Sequence, residues 1–161
     1  LSPRSPAIGS HSLERGFAVF LGRYEYNLDE KGRLAIPARL RNGDDGTADW
    51  VLAQGLDGCL FLYPVDTWRE VAGRVQSLAA NQRAARRFAR LLFAGAVEVT
   101  LDKQGRVGIP QHLRAWAELK REVIVVGVGR RIEIWDKAAW EDYAADADYE
   151  DAAETLGELE F

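Results

Sequence analysis

YEYNLDEKGRLAIPARLR, residues Tyr24 to Arg41, returns 73 residues later as VEVTLDKQGRVGIPQHLR, residues Val97 to Arg114. Nine of the eighteen columns are identical, from Glu25/Glu98 through Leu28/Leu101, Asp29/Asp102, Gly32/Gly105, Arg33/Arg106, Ile36/Ile109 and Pro37/Pro110 to Leu40/Leu113 and Arg41/Arg114. Composition does not produce that by chance, so the chain contains an internal duplication. Each copy reads as a hairpin followed by a helical turn. Asp29 and Gly32 bracket a tight turn, because aspartate accepts from amides two residues on and glycine supplies a positive φ. After the turn, Leu34 and Ile36 alternate inward with Arg33 and Ala35 outward, and Val107 and Ile109 repeat the scheme against Arg106 and Gly108. Pro37 and Pro110 then end the strand and open a short helical turn.

Outward from the repeats, each unit continues into two apolar runs around a turn. WVLAQGLDGCLFLYP follows the first and EVIVVGVGRRIEIWD the second, so Leu60 to Tyr63 match Ile132 to Trp135. An amphipathic helix closes each unit, with Trp68 and Trp140 in equivalent places. All five tryptophans read as packing groups, because burying an indole contributes more than most side chains. Asp66 to Gly95 reads as helix capped by Asp66 or Thr67, with Val71, Val75 and Leu78 at helical spacing and Asn81 as a break. Beyond it Arg83, Arg86, Arg87 and Arg90 form a basic stripe, read as solvated or subunit-facing before DNA-contacting.

The expected fold is therefore mainly β with short helices, α+β, in one duplicated unit. Residues 1–18 read as a disordered extension rich in Ser, Pro and Gly, without the apolar core of a secretory signal. A chain with no Met also reads as not beginning at an ordinary start. Residues 20–66 and 95–140 read as the two halves, 67–94 as connecting helices, and 141–161 as an acidic tail, frayed or disordered. No apolar run is long enough for a membrane-spanning helix. The net charge of −4 conceals an asymmetry: residues 1–140 hold all 21 basic and 16 of the 25 acidic residues, and the last 21 hold nine acidic and none basic. A basic body of this kind suits a polyanionic partner.

Two carboxylates related by duplication, Asp29 and Asp102, raise the possibility of a proton-sharing catalytic dyad. Each is followed four residues on by an Arg, which holds a carboxylate ionised, so the pattern points away from catalysis. Cys59 lies in an apolar run and reads as an inert buried thiol, and no metal spacing, phosphate loop or cofactor motif stands out. A turn carrying Lys31 and Arg33, or Lys103 and Arg106, on a two-stranded ribbon suits the DNA major groove. Spacing alone leaves open whether Asp29 aims Arg33 at a ligand or merely ties the turn shut.

The chain from Phe20 to about Glu154 resembles the MraZ family of bacterial transcriptional regulators, built from two SpoVT-AbrB-like half-domains. The resemblance rests on FLGRYEYNLDEKGRLAIPARLR, GCLFLYP, RRFARLLFAGA, LDKQGRVGIPQHLR and IEIWDKAAW. It implies a swapped-hairpin β-barrel within one chain, a ring-shaped homo-oligomer in the cytoplasm and nucleoid, and binding to direct repeats in double-stranded DNA upstream of the division and cell-wall operon. It also implies that Arg33 contacts DNA with Asp29 as its support and Lys31 at phosphate. The same implied role extends to Asp102, Lys103 and Arg106, where Gln104 replaces the tip lysine. Family members usually begin at the position of Val19. The alternatives are an AbrB-like antitoxin, which usually has one half-domain and a toxin-binding tail, and a purely structural ring protein.

Overall fold

Each repeat in the computed structural model, which describes residues 19–157 except 42, 45 and 147, contributes four strands and ends in helices. The expected disorder of residues 1–18 lies outside the described residues. In chain order the elements are β1 (Arg23–Asn27), β2 (Arg33–Ala35), a 3-10 turn (Ala38–Leu40), β3 (Trp50–Gln54), β4 (Leu60–Pro64), α1 (Val65–Ala79) and α2 (Arg83–Gly95). The second repeat follows as β5 (Val97–Val99), β6 (Arg106–Gly108), α3 (Gln111–Trp116), β7 (Glu122–Val128), β8 (Arg131–Asp136), α4 (Lys137–Asp146) and α5 (Tyr149–Leu156). The class is α+β with antiparallel pairing throughout.

The pairing differs from a simple hairpin. Asp29 N–H donates to Arg33 C=O at 2.9 Å and closes the turn, but β1 and β2 then part into different sheets. β1 pairs with β7 and β5 with β3, so the first strand of each repeat is adopted by the other repeat. β2 pairs with β6, and the two-stranded ribbon expected within each repeat is in fact shared between repeats. The reason is burial: Leu34 and Val107 are fully buried, and placing each opposite its own duplicate gives both a cover that neither repeat has alone. The six-stranded sheet has the order β1-β7-β8-β4-β3-β5 and ends at free edges, and among the described residues the strands do not close into a barrel.

A pseudo-two-fold axis follows from the register. Leu34 pairs with Val107, its own duplicate, and Phe61 pairs with Glu133, again its own duplicate. The axis therefore passes between β2 and β6 and between β4 and β8. One face of the sheet carries the main core, where Leu52, Leu60, Leu62, Val123, Val125, Ile132 and Ile134 meet Leu34, Ile36, Val107 and Ile109. The other face carries Cys59, Phe61, Tyr63, Ile124 and Trp135, covered by Trp68 and Val71 of α1 and Trp140 of α4. Burial pushes the Cys59 thiol strongly up, which keeps it protonated and inert. Glu133 is buried here but paired: Arg131 donates to it at 2.7 Å and the Trp135 indole at 3.0 Å, while the Arg131 guanidinium lies over the Phe61 ring.

Two local expectations need correction. α1 begins at Val65 with Pro64 as its N-cap and no capping side chain, and Asp66 instead pairs with Arg69 at 3.3 Å. Trp116 is 47% exposed, unlike the packed Trp50 and Trp135, because α3 is one short turn longer than its 3-10 counterpart and projects its end outward. Within the acidic segment, the described residues are helical in α4 up to Asp146 and in α5 over Tyr149–Leu156, with Asp148 accepting from Asp151 N–H as an N-cap and Gly157 closing α5 in the left-handed region.

Candidate nucleic-acid interface

The two turns are built alike. Asp29 Oδ1 accepts from the amides of Lys31 (2.8 Å) and Arg33 (2.9 Å), and Asp102 Oδ1 from those of Gln104 and Arg106 (both 2.9 Å). Gly32 and Gly105 both sit at φ +76°, where a side chain is strained. Each glycine also lies under an arginine of the other repeat: a Cβ on Gly105 would stand 2.7 Å from Arg41 Cζ, and one on Gly32 would meet Arg114. Arg41 Nε in turn donates to Ile36 C=O at 2.9 Å, and Arg114 donates to Ile109 C=O. Ile36 N–H donates to Gly105 C=O and Ile109 N–H to Gly32 C=O, both at 2.9 Å. The turns are thereby stitched to one another across the pseudo-axis.

That stitching brings four of the six expected site residues together. Asp29 Oδ2 accepts from Arg33 Nε at 2.6 Å and Asp102 Oδ2 from Arg106 Nε at 2.8 Å. Arg106 Nη1 also reaches Asp29 Oδ2 at 3.7 Å. The backbone amide of Arg33, and then its guanidinium and the Lys31 amide, hold the Asp29 carboxyl below its usual range; Arg106 and Gln104 do the same for Asp102. Two carboxylates both held ionised are the opposite of a dyad that shares one proton. Lys31 and Lys103 are exposed on the turns and form no ion pair with the described residues.

The Asp–Arg pair thus braces each turn and fixes the position of its guanidinium. Asp29 occupies only Nε of Arg33, and the remaining guanidinium nitrogens have no partner among the described residues. Arg106 is held by two carboxylates and Arg33 by one. A guanidinium fixed through Nε keeps its outer edge pre-organised for a bidentate acceptor such as a base edge or phosphate.

The surroundings of the two turns differ. Leu28 N–H donates to Arg121 C=O at 2.8 Å, and a groove of about 350 Å³ runs from Asp29 and Glu30 past Gly32 to Lys120 and Arg121. At the second turn the equivalent place is approached by Gly46, where a Cβ would lie 3.1 Å from Leu101 C=O. In sequence, the segment 43–49 contains three aspartates, Asp44, Asp45 and Asp49, and no cation. Asp44 braces it: burial alone would raise its pKa, but donors from Trp50, Ala48 and Gly46 bring it below the usual range. The placement of Lys120 and Arg121 beside the first turn was not legible, since nothing in sequence ties them to a turn some 90 positions earlier. Arg41 and Arg114 carried a signal, as identical columns of the duplication.

The MraZ family, described as "MraZ protein, putative antitoxin-like", matches this chain twice, over residues 19–91 and 92–158. Those two matches cover both turns, the shared ribbon and both helical pairs, and by them the chain belongs to the MraZ family.

Proposed function

We propose that the chain is a sequence-specific DNA-binding transcriptional regulator that acts on the promoter of its own division and cell-wall operon and binds direct repeats as a ring of subunits. The observation that carries this reading is the convergence of Arg33 and Arg106 on one ribbon, each fixed through Nε with its outer edge directed away from its brace. A two-stranded ribbon fits the major groove, where arginine pairs bidentately with guanine. Lys31 and Lys103 serve at phosphates, which position the protein without reading sequence. Asp29 and Asp102 aim the guanidiniums and hold the turns.

A single chain offers few cations to DNA, so a single site is weak at physiological salt. A ring converts later contacts into intramolecular ones, with avidity gains of about 10² to 10⁴. Rotationally related subunits suit direct repeats, as two-fold dimers suit palindromes. The test is a fluorescence-anisotropy titration of duplexes carrying one, two and three repeats from upstream of the gene, spaced about one helical turn, 10–10.5 bp, apart. Affinity should rise steeply with repeat number and collapse when about five base pairs are inserted between repeats to place them on opposite faces. Equal affinity across the set, or no preference over scrambled duplex, contradicts the proposal. The family's antitoxin-like description favours one second reading, a protein partner in place of DNA, and that reading predicts no DNA preference at all.

A further inference from the structure

The duplication gives each repeat a helical arm, α1–α2 in the first and α4–α5 in the second, and the arms have opposite charge. Residues 65–95 contain six basic and two acidic residues; residues 137–156 contain seven acidic and one basic. Both arms also expose apolar surface. On α2, Ala84, Phe88 and Leu91 fall at i, i+4 and i+7 and are exposed, with the stripe of Arg83, Arg86, Arg87 and Arg90 beside them. On α5, Tyr149, Ala152, Ala153 and Leu156 form the matching strip, with Glu150, Asp151 and Glu154 beside it. None of these charged groups forms an ion pair with the described residues.

α5 has little support among the described residues of its own chain. It has eight residues, none of them buried, whereas a helix shorter than about 12–15 residues is marginal without packing. Tyr149 is 81% exposed and Leu156 65%. An apolar strip edged by carboxylates on α5 is complementary to an apolar strip edged by arginines on α2.

We propose that the α4–α5 arm of one copy docks on the α1–α2 arm of a second copy of this chain, with Tyr149 and Leu156 against Phe88 and Leu91 and the α5 carboxylates against the α2 arginines. Different arms meet, so the contact is heterologous, and repetition of one rotation closes a ring. This rests on the ring reading above and adds which surfaces make the ring. It also assigns the α2 arginines to subunit contact and not to DNA.

The test is sedimentation velocity on full-length protein in four samples: wild type; Arg83→Glu/Arg86→Glu/Arg87→Glu; Glu150→Lys/Asp151→Lys/Glu154→Lys; and an equal mixture of the two variants. Circular dichroism verifies that each is folded. Wild type should sediment as a multi-subunit oligomer and each variant alone as a single chain, because the substituted residues then give the α2 and α5 strips the same sign of charge. The mixture should regain the wild-type mass, since alternating copies restore opposite charges at every contact. Retention of wild-type mass by either variant, or failure of the folded variants to assemble on mixing, overturns the assigned interface while leaving the ring itself standing. A monomeric wild type overturns the ring. Loss of DNA binding by the α2 variant at unchanged mass overturns the assignment in favour of arginines that touch DNA.

Discussion

The turns at Asp29–Arg33 and Asp102–Arg106 share backbone, braces and covering arginines, and yet their surroundings differ in charge. Lys120 and Arg121 flank the first, and an acidic, cation-free segment flanks the second. The frame is duplicated because both turns are needed to complete one core: each ribbon strand buries its leucine or valine against the other. The rim contributes little to that core and is free to diverge, since exposed charges rarely move stability by more than about 0.5 kcal/mol. A symmetric scaffold therefore presents an asymmetric electrostatic surface.

The largest effect should come from breaking the shared frame. Leu34→Ala removes a fully buried side chain at the pseudo-axis and should cost about 2–5 kcal/mol in urea unfolding. Its loss should loosen both turns together. Faster hydrogen exchange at the first turn alone, with the amides of Ile109 and Arg106 as protected as before, would separate the turns and break the comparison.

The rim differences should appear in salt dependence. Lys120→Ala and Arg121→Ala should each reduce the slope of log affinity against log salt by about 1, uniformly across sequences. Asp49→Lys, on the acidic side, should raise the slope by about 1. Slopes unmoved by all three would mean that the rim lies away from the phosphates.

A smaller, pH-linked effect should distinguish the braces from the rim. Asp29 and Asp102 both have folded pKa values below the ordinary value of 3.8, so each contributes stability above that value. The contribution is lost as pH falls through the depressed folded values, because the unfolded chain takes up protons first. Thermal melts of wild type from pH 7 to below pH 3 should therefore fall more steeply at the acid end than those of Asp29→Asn/Asp102→Asn. Parallel curves would show that neither carboxylate is linked to folding.

Much of the frame was readable in the chain. Alternation at Leu34 and Ile36 fixed the buried face, and the Asp-to-Gly spacing of DEKG gave the turn, because both are local consequences of strand period and turn chemistry. The exchange of β1 and β5 between repeats was not readable from periodicity, since a strand's alternation says which face is buried and not which strand lies beside it. The resemblance implied a barrel, and among the described residues β1 and β5 end the sheet with no closed barrel found. The asymmetric rim was hidden for another reason: Arg121 meets Leu28 only through folding, and the KR pair alone resembles any solvated surface.

The most direct measurement is a side-by-side titration of wild type, Arg33→Ala and Arg106→Ala against upstream DNA and a scrambled duplex of equal length. Both substitutions should weaken specific binding by about 1–3 kcal/mol, with the larger loss at Arg33, while binding to scrambled DNA, oligomer mass and melting temperature stay close to wild type. Unchanged discrimination between the two duplexes in both variants, or loss that tracks unfolding, would contradict the account and leave the paired Asp and Arg residues as braces of the turns alone.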